Sequence, residues 1–172
     1  MNKAELRSHL KNLRRNMPDT ERSTLSQQIC QRLAALDWAD INTFHCYEPI
    51  APLKEVDITA FIATIQKQYP KIQLYTSRRI DNVWKVVSWQ DHNEVEAPHF
   101  DAVIVPMLGF DTSLHRIGYG GGYYDKFLAI QLHARKIGVC FDLGRVQQVP
   151  EEPHDVALDT IITESNIYKS YS

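Results

Sequence analysis

Four of the seven glycines in this sequence fall within five positions, Gly118, Gly120, Gly121 and Gly122, with Arg116 just before them and Tyr123, Tyr124 and Asp125 just after. Glycine lacks Cβ, so successive backbone N–H groups can turn toward an anion. The start of a following helix adds partial positive charge. Arg116 offers a bidentate phosphate contact, and Asp125 offers an oxygen ligand for magnesium. The string is not a P-loop, which needs Gly-Lys followed by Ser or Thr, nor the dinucleotide GxGxxG with an acid about 20 residues onward. A tight, closely packed turn gives the same glycine run. Tyr123 and Tyr124 also suit a core edge, and Asp125 the first turn of a helix.

Other candidate groups stand apart in sequence. Lys3, Arg7 and Arg14 fall within about 40° of one another on a helix, which makes either a phosphate-facing stripe or a solvated basic face. Glu55 suits the first turn of a helix. His154, Tyr47 and Trp84 read as packing or surface residues without a chemical role. Cys30, Cys46 and Cys140 are scattered and lack CxxC spacing, so buried free thiols are expected and neither a disulfide framework nor a zinc site. No Ser-His-Asp or Cys-His constellation stands out, which is compatible with chemistry that needs no protein nucleophile.

These residues must be positioned by elements that hydrophobic spacing reveals. Leu6, Leu10, Leu13 and Met17 mark a first helix ending near Pro18. Asp19 suits the cap of a second, with Leu25, Ile29, Leu33 and Leu36 on its apolar face. A third helix is expected over 55–69, and another over 122–134. Strands are predicted over 41–47, 72–77, 82–89, 101–108, 135–141 and 159–165, the stretch DAVIVPML being apolar enough for burial on both faces. Helices alternating with buried strands predict a three-layer α/β/α domain with a largely parallel sheet over residues 1–172. In such a sheet a ligand sits outside the carboxyl ends of the strands, where the glycine string would lie. The net charge of −2 argues against a nucleic-acid partner. The lack of a signal peptide or of about 18 consecutive apolar residues predicts a cytosolic protein with no membrane partner.

The string VPMLGFDTSLHRIGYGGGYYDKFL resembles the signature of the 5-formyltetrahydrofolate cyclo-ligases, also called methenyltetrahydrofolate synthetases. KAELR (3–7), PLKEVDIT (52–59) and VPEEPHDVALDTIITE (149–164) resemble further family segments in the same order. The resemblance implies a NagB/RpiA/CoA-transferase-like fold. It also implies conversion of 5-formyltetrahydrofolate and ATP to 5,10-methenyltetrahydrofolate, ADP and phosphate, with Mg²⁺ as cofactor. By motif position it assigns ATP to Lys3, Ala4, Glu5, Leu6 and Arg7, to Arg14 on the same stripe, and to Arg116, Ile117, Gly118, Tyr119, Gly120, Gly121, Gly122, Tyr123 and Tyr124. Lys3 and Arg116 become the catalytic charges, Asp125 and Asp155 the metal ligands, and Ile50 and Glu55 the folate contacts. A monomer acting on small molecules is expected. The sequence departs from the family pattern over 76–98, with Thr76, Ser77 and Arg78 where a proline-arginine pair is expected. Two further readings are a same-fold enzyme for another formylated substrate and a non-catalytic folate or nucleotide binder. The presence of Lys3, Arg116, Asp125 and Asp155 together favours catalysis, because a binder needs no metal-triphosphate set.

Overall fold

A computed structural model describes residues 1–96 and 99–170. Its centre is β4 (Ala102–Pro106), whose five residues are all buried. Ala102 and Ile104 face one apolar cluster, and Val103 and Val105 face another. That alternation is what covering a strand on both sides demands. Around it the chain builds one sheet in the order β3-β2-β1-β4-β7-β8-β9. These strands span β1 Thr43–His45, β2 Gln73–Ile80, β3 Val83–Ser88, β7 Arg135–Val139, β8 Thr160–Ile162 and β9 Ile167–Lys169. The five inner strands pair in parallel, and β3 and β9 close the two edges antiparallel.

On one face lie α2 (Asp19–Ala34) and α3 (Thr59–Gln68), whose Ile29, Leu33, Phe61 and Ile65 surround Trp38 and Phe44. On the other lies α4 (Tyr123–Ala129), through Phe127 and Leu128. Gly138 of β7 allows this second face to close, since a Cβ there would stand 2.1 Å from Met107 Cε and 2.5 Å from Leu158 Cδ1. The three layers are those expected. α1 (Lys3–Arg15) packs separately, setting Leu6 and Leu10 on Leu108, Ile117 and Val149. Asn2 and Glu5 cap it reciprocally, the arrangement that satisfies two orphan N–H groups at once. Among the described residues no helix is long and apolar enough to cross a membrane.

Several expectations need correcting. Leu13 is 40% exposed, and the buried position beside it belongs to Arg14, at 3%. Pro18, not Asp19, precedes the first turn of α2, and Leu36 lies beyond its end. The third helix starts at Thr59, four residues later than expected. Lys54 takes a left-handed φ of 49°, and the Asp57 carboxylate accepts from the Thr59 N–H at 3.0 Å, so the chain enters α3 through a turn. Glu55 is therefore not a first-turn acid. α4 ends at Ala129 rather than 134, where Ile130 and Leu132 become exposed and the apolar spacing no longer meets the sheet. The predicted strands at 72–77 and 82–89 form a hairpin whose turn, Asp81-Asn82, has both φ values positive, the twist-matched geometry for a two-residue loop. The strand β9 and the small ladder of β5 (Gly109–Phe110) with β6 (Arg116–Ile117) were not expected. Two or three residues carry too little periodicity to be read.

Candidate active site

Where β1 and β4 end, a cavity of about 900 Å³ opens, lined by residues from Lys3 to Asp155. This is the carboxyl edge of the parallel sheet, where the loops of a wound α/β fold diverge and leave room for a ligand. The glycine string forms one wall. It is introduced by the β5-β6 ladder rather than by β4 directly, so Arg116 projects from a paired strand. Gly120 has φ 101° and Gly122 φ 70°, a backbone open to glycine at little cost. A Cβ on Gly121 or Gly122 would meet nothing within 4 Å, so these two glycines face open space and packing does not explain them. α4 has only seven residues, so cation side chains and loop amides carry more of the site's positive potential than the helix start.

Three cations converge on this wall. The Arg116 side chain is 6% exposed and places Nη2 2.7 Å from Asp125 Oδ1. Its Nε is buried without a partner among the described residues, and burial pulls its pKa below the ordinary arginine value, with Asp125 opposing. Lys3 Nζ lies 2.6 Å from Asp155 Oδ2 and 3.0 Å from Glu152 Oε2. Partial burial opposes its charge, yet these two carboxylates raise its pKa above the ordinary lysine value. For Asp155 burial pushes upward, but the Lys3 hydrogen bond and the Glu152 N–H hold it below the usual carboxylate range. Arg7 donates through Nε to the Gly118 carbonyl at 3.1 Å and lies against Gly120. Asp125 also accepts from the Val156 N–H at 3.2 Å, tying α4 to the segment that carries Asp155. Ligand atoms of Asp125, Asp155 and His154 lie within 4.8 Å of one another.

Not every predicted contact lines the cavity. Of the KAELR segment only Lys3 and Arg7 do. Ala4 and Glu5 face solvent and Leu6 is core, as one turn of helix requires when its ends point inward. Arg14 lies beneath the loop, donating to the Met107 carbonyl at 2.5 Å and to the Tyr119 hydroxyl at 2.7 Å. It supports the loop instead of facing a ligand. Glu55 is 4% exposed and accepts from the Ile50 N–H at 2.7 Å. Burial raises its pKa, with the Ile50 N–H, the Tyr119 hydroxyl and the charges of Arg14 and Arg22 offsetting part of the rise. One carboxylate thus joins the loop of Ile50 to the loop of Tyr119.

The opposite wall comes from the hairpin and from the end of β1. Trp84, 45% exposed, lies over the Tyr123 ring with centroids 5.2 Å apart and planes 31° apart. Arg78 Nη2 meets Glu48 Oε1 at 2.7 Å, and Ser77, Arg79, Pro49 and Leu53 complete that side. The Tyr47 hydroxyl donates to the Val56 carbonyl at 2.6 Å. Spacing alone gave no signal for Trp84, Tyr47 or His154, because only the pairing of β2 with β3, the end of β1 at the carboxyl edge of the sheet and the fold of 151–155 bring them to the cavity. The site therefore has a cationic, glycine-rich wall facing an aromatic one.

A family model described as the 5-formyltetrahydrofolate cyclo-ligase family matches residues 1–164. A 5-formyltetrahydrofolate cyclo-ligase of Mycoplasma pneumoniae is 32% identical over 174 residues, covering 95% of this chain and 99% of that protein. The solved structure of a 5,10-methenyltetrahydrofolate synthetase from the same organism superposes with a TM-score of 0.83 at 30% identity, covering 95% and 99% of the two chains. That of the Aquifex aeolicus 5,10-methenyltetrahydrofolate synthetase superposes with a TM-score of 0.82 at 25% identity, covering 98% and 93%. With its glycine string and both ends of its KAELR segment on one cavity wall, and with these likenesses running almost end to end, the chain belongs to the 5-formyltetrahydrofolate cyclo-ligase family.

Proposed function

We propose that this chain, as one domain, catalyses the ATP-dependent cyclisation of 5-formyltetrahydrofolate to 5,10-methenyltetrahydrofolate, releasing ADP and phosphate. The observation that carries this reading is that one cavity holds both a cation-rich glycine loop and an aromatic and apolar wall. A triphosphate fits the first and a flat heterocycle the second.

A formamide oxygen is a weak nucleophile, and hydroxide is a poor leaving group. Transfer of the γ-phosphoryl group to the formyl oxygen breaks the bond to ADP and turns that oxygen into a leaving group. N10 then attacks the formyl carbon, the C–O bond breaks, phosphate departs, and the N10 proton passes to solvent. The nitrogen-carbon-nitrogen bridge closes as an amidinium. Phosphoryl transfer needs alignment and charge neutralisation more than a protein nucleophile. Lys3, Arg7, Arg116 and the amides of 118–122 supply both. Asp125 and Asp155, with His154 beside them, offer a mainly oxygen ligand set within one cation's reach. They would hold Mg²⁺, which supplies further neutralisation of the triphosphate when bound. Arg116 and Lys3, paired with those carboxylates, would add their positive charge beside the triphosphate. Ile50 and Trp84 would cover the folate, and Glu55 would set the loop that carries Ile50. We further propose that the enzyme works as a cytosolic monomer.

Purified protein mixed with 5-formyltetrahydrofolate, ATP and Mg²⁺ should develop the near-ultraviolet absorbance of the methenyl product. Product formation that needs both ATP and the metal supports the reading, and bound ATP without product would refute it.

A further inference from the structure

His45 of β1 is fully buried, between the rings of Phe100 and Phe127 at centroid distances of 5.4 and 4.6 Å. Among the described residues its one polar contact is Nε2 to Ser77 Oγ, at 2.8 Å. Nδ1 is buried with no partner among the described residues. Burial keeps the ring neutral, pulling its pKa down to about 3. The Ser77 hydroxyl is in turn shared with the Tyr123 hydroxyl. Ser77 and Tyr123 line the cavity, and His45 lies behind them.

Proton counting gives this chain a direction. A neutral imidazole has one N–H, and a stranded buried donor is rarer and costlier than a stranded acceptor. The N–H is therefore assigned to Nε2, from its partner, and donates to Ser77 Oγ. Ser77 has no second acceptor among the described residues, so its own hydrogen goes to Tyr123 Oη. Tyr123 Oη then accepts from within the protein, and its own hydrogen is left for whatever occupies the cavity. The phenol is fastened to the hairpin wall, through Ser77 of β2 and through its ring beside Trp84 of β3. Lys3, Arg7 and Arg116 come from α1 and β6. Ser77 falls in the segment where this sequence departs from the family pattern.

We propose that His45 and Ser77 are positioning residues that hold the Tyr123 hydroxyl as a hydrogen-bond donor toward a carbonyl oxygen of the reduced folate. The proposal rests on the cyclo-ligase reading, and it gives Tyr123 to the folate where motif resemblance gives it to ATP, because its partners are Ser77 and Trp84 of the hairpin. A phenol free to rotate presents either a donor or a lone pair, and fixing it beforehand removes an ordering cost from binding. A buried, half-satisfied histidine is a poor stabilising element, so its presence at this position is better explained by the hydroxyl at the far end of the relay.

The test is a double-variant cycle on the full protein, read as steady-state formation of methenyl product. Ser77→Ala and Tyr123→Phe should each lower kcat/KM for 5-formyltetrahydrofolate about tenfold, while the double variant falls no further than Tyr123→Phe alone. KM for ATP should not move. His45→Gln, which keeps a donor near the Nε2 position, should stay within about threefold of wild type, whereas His45→Met should fall with Ser77→Ala. Urea unfolding of each variant separates loss of fold from loss of function. Should His45→Met not fold, Ser77→Thr beside Ser77→Ala carries the test, since only the first keeps the hydroxyl. Multiplicative losses in the double variant, or a matching rise in KM for ATP, overturn the relay while wild-type turnover leaves the cyclo-ligase reading standing. Wild-type protein that makes no product overturns that reading, and the relay with it.

Discussion

Acid should destabilise this protein through His45 by an amount that can be worked out in advance. Its folded pKa is about 3, with burial as the only cause, against about 6.5 in the unfolded chain. Between those values the unfolded state takes up a proton that the folded state refuses, so stability is complete above about pH 6.5 and falls as the pH drops toward 3. At pH 5 an unfolded histidine is about 97% protonated, and the corresponding free energy, RT ln(1 + 10^1.5), is about 2 kcal/mol. At pH 7.5 it is close to zero. His45→Gln removes the titration and leaves the other ionisable groups in place. Urea unfolding of both proteins at pH 7.5 and pH 5 gives four free energies, with each protein as its own reference. Wild type should lose about 2 kcal/mol more than the variant, equivalent to about 4–8 °C in Tm for a chain of this size. Equal losses would mean that His45 is solvated or charged in the native state. The burial argument would then be wrong.

Arg116→Ala should lower kcat by about 10²-fold or more, the scale of losing one preorganised charge-stabilising group, and near-wild-type turnover would remove the proposed nucleotide wall. Glu55→Gln keeps the shape but not the charge that accepts from the Ile50 N–H. KM for 5-formyltetrahydrofolate should rise about tenfold with kcat little changed, and a rise confined to the KM for ATP would place Glu55 with the nucleotide instead. Gly109→Ala should cost about 3 kcal/mol in urea unfolding, because its Cβ would stand 2.6 Å from both the Gly144 carbonyl oxygen and Leu10 Cδ1. A backbone carbonyl cannot swing away as a side-chain end can, so a loss near zero would show that the 142–144 turn moves freely.

What the sequence could reveal depended on how local the signal was. The layered architecture was legible because β4 is apolar on both faces and the helical stripes repeat over several turns. The glycine string and its flanking charges were legible because they are contiguous. Glu55 lies four residues before α3, in a turn that Lys54 and Asp57 create, and an acid ahead of an apolar run looks the same whether or not the helix has begun. Spacing puts Arg14 on the same stripe as Lys3 and Arg7, as an ATP contact or part of a solvated face. Helical angle gives a direction only relative to the axis, and the loop that covers Arg14 arrives from more than a hundred residues away. Ser77 and His45 are distant in sequence and meet only because β1 and β2 pair with His45 opposite Tyr75. No single-strand pattern encodes that register.

The seating of α1 has one further consequence. The helix brings Lys3 and Arg7 to the cavity and Arg14 to the underside of the loop, while Leu6 and Leu10 seal the smallest of the three apolar clusters. Its detachment would break the binding wall before it breached the main core. Triphosphate bound at about a hundred times its Kd would then add about 2.7 kcal/mol to the free energy of lifting the helix. The amide hydrogens of α1 should exchange with deuterium about a hundredfold more slowly in the presence of nucleotide, while those of β4 keep the rate set by global unfolding.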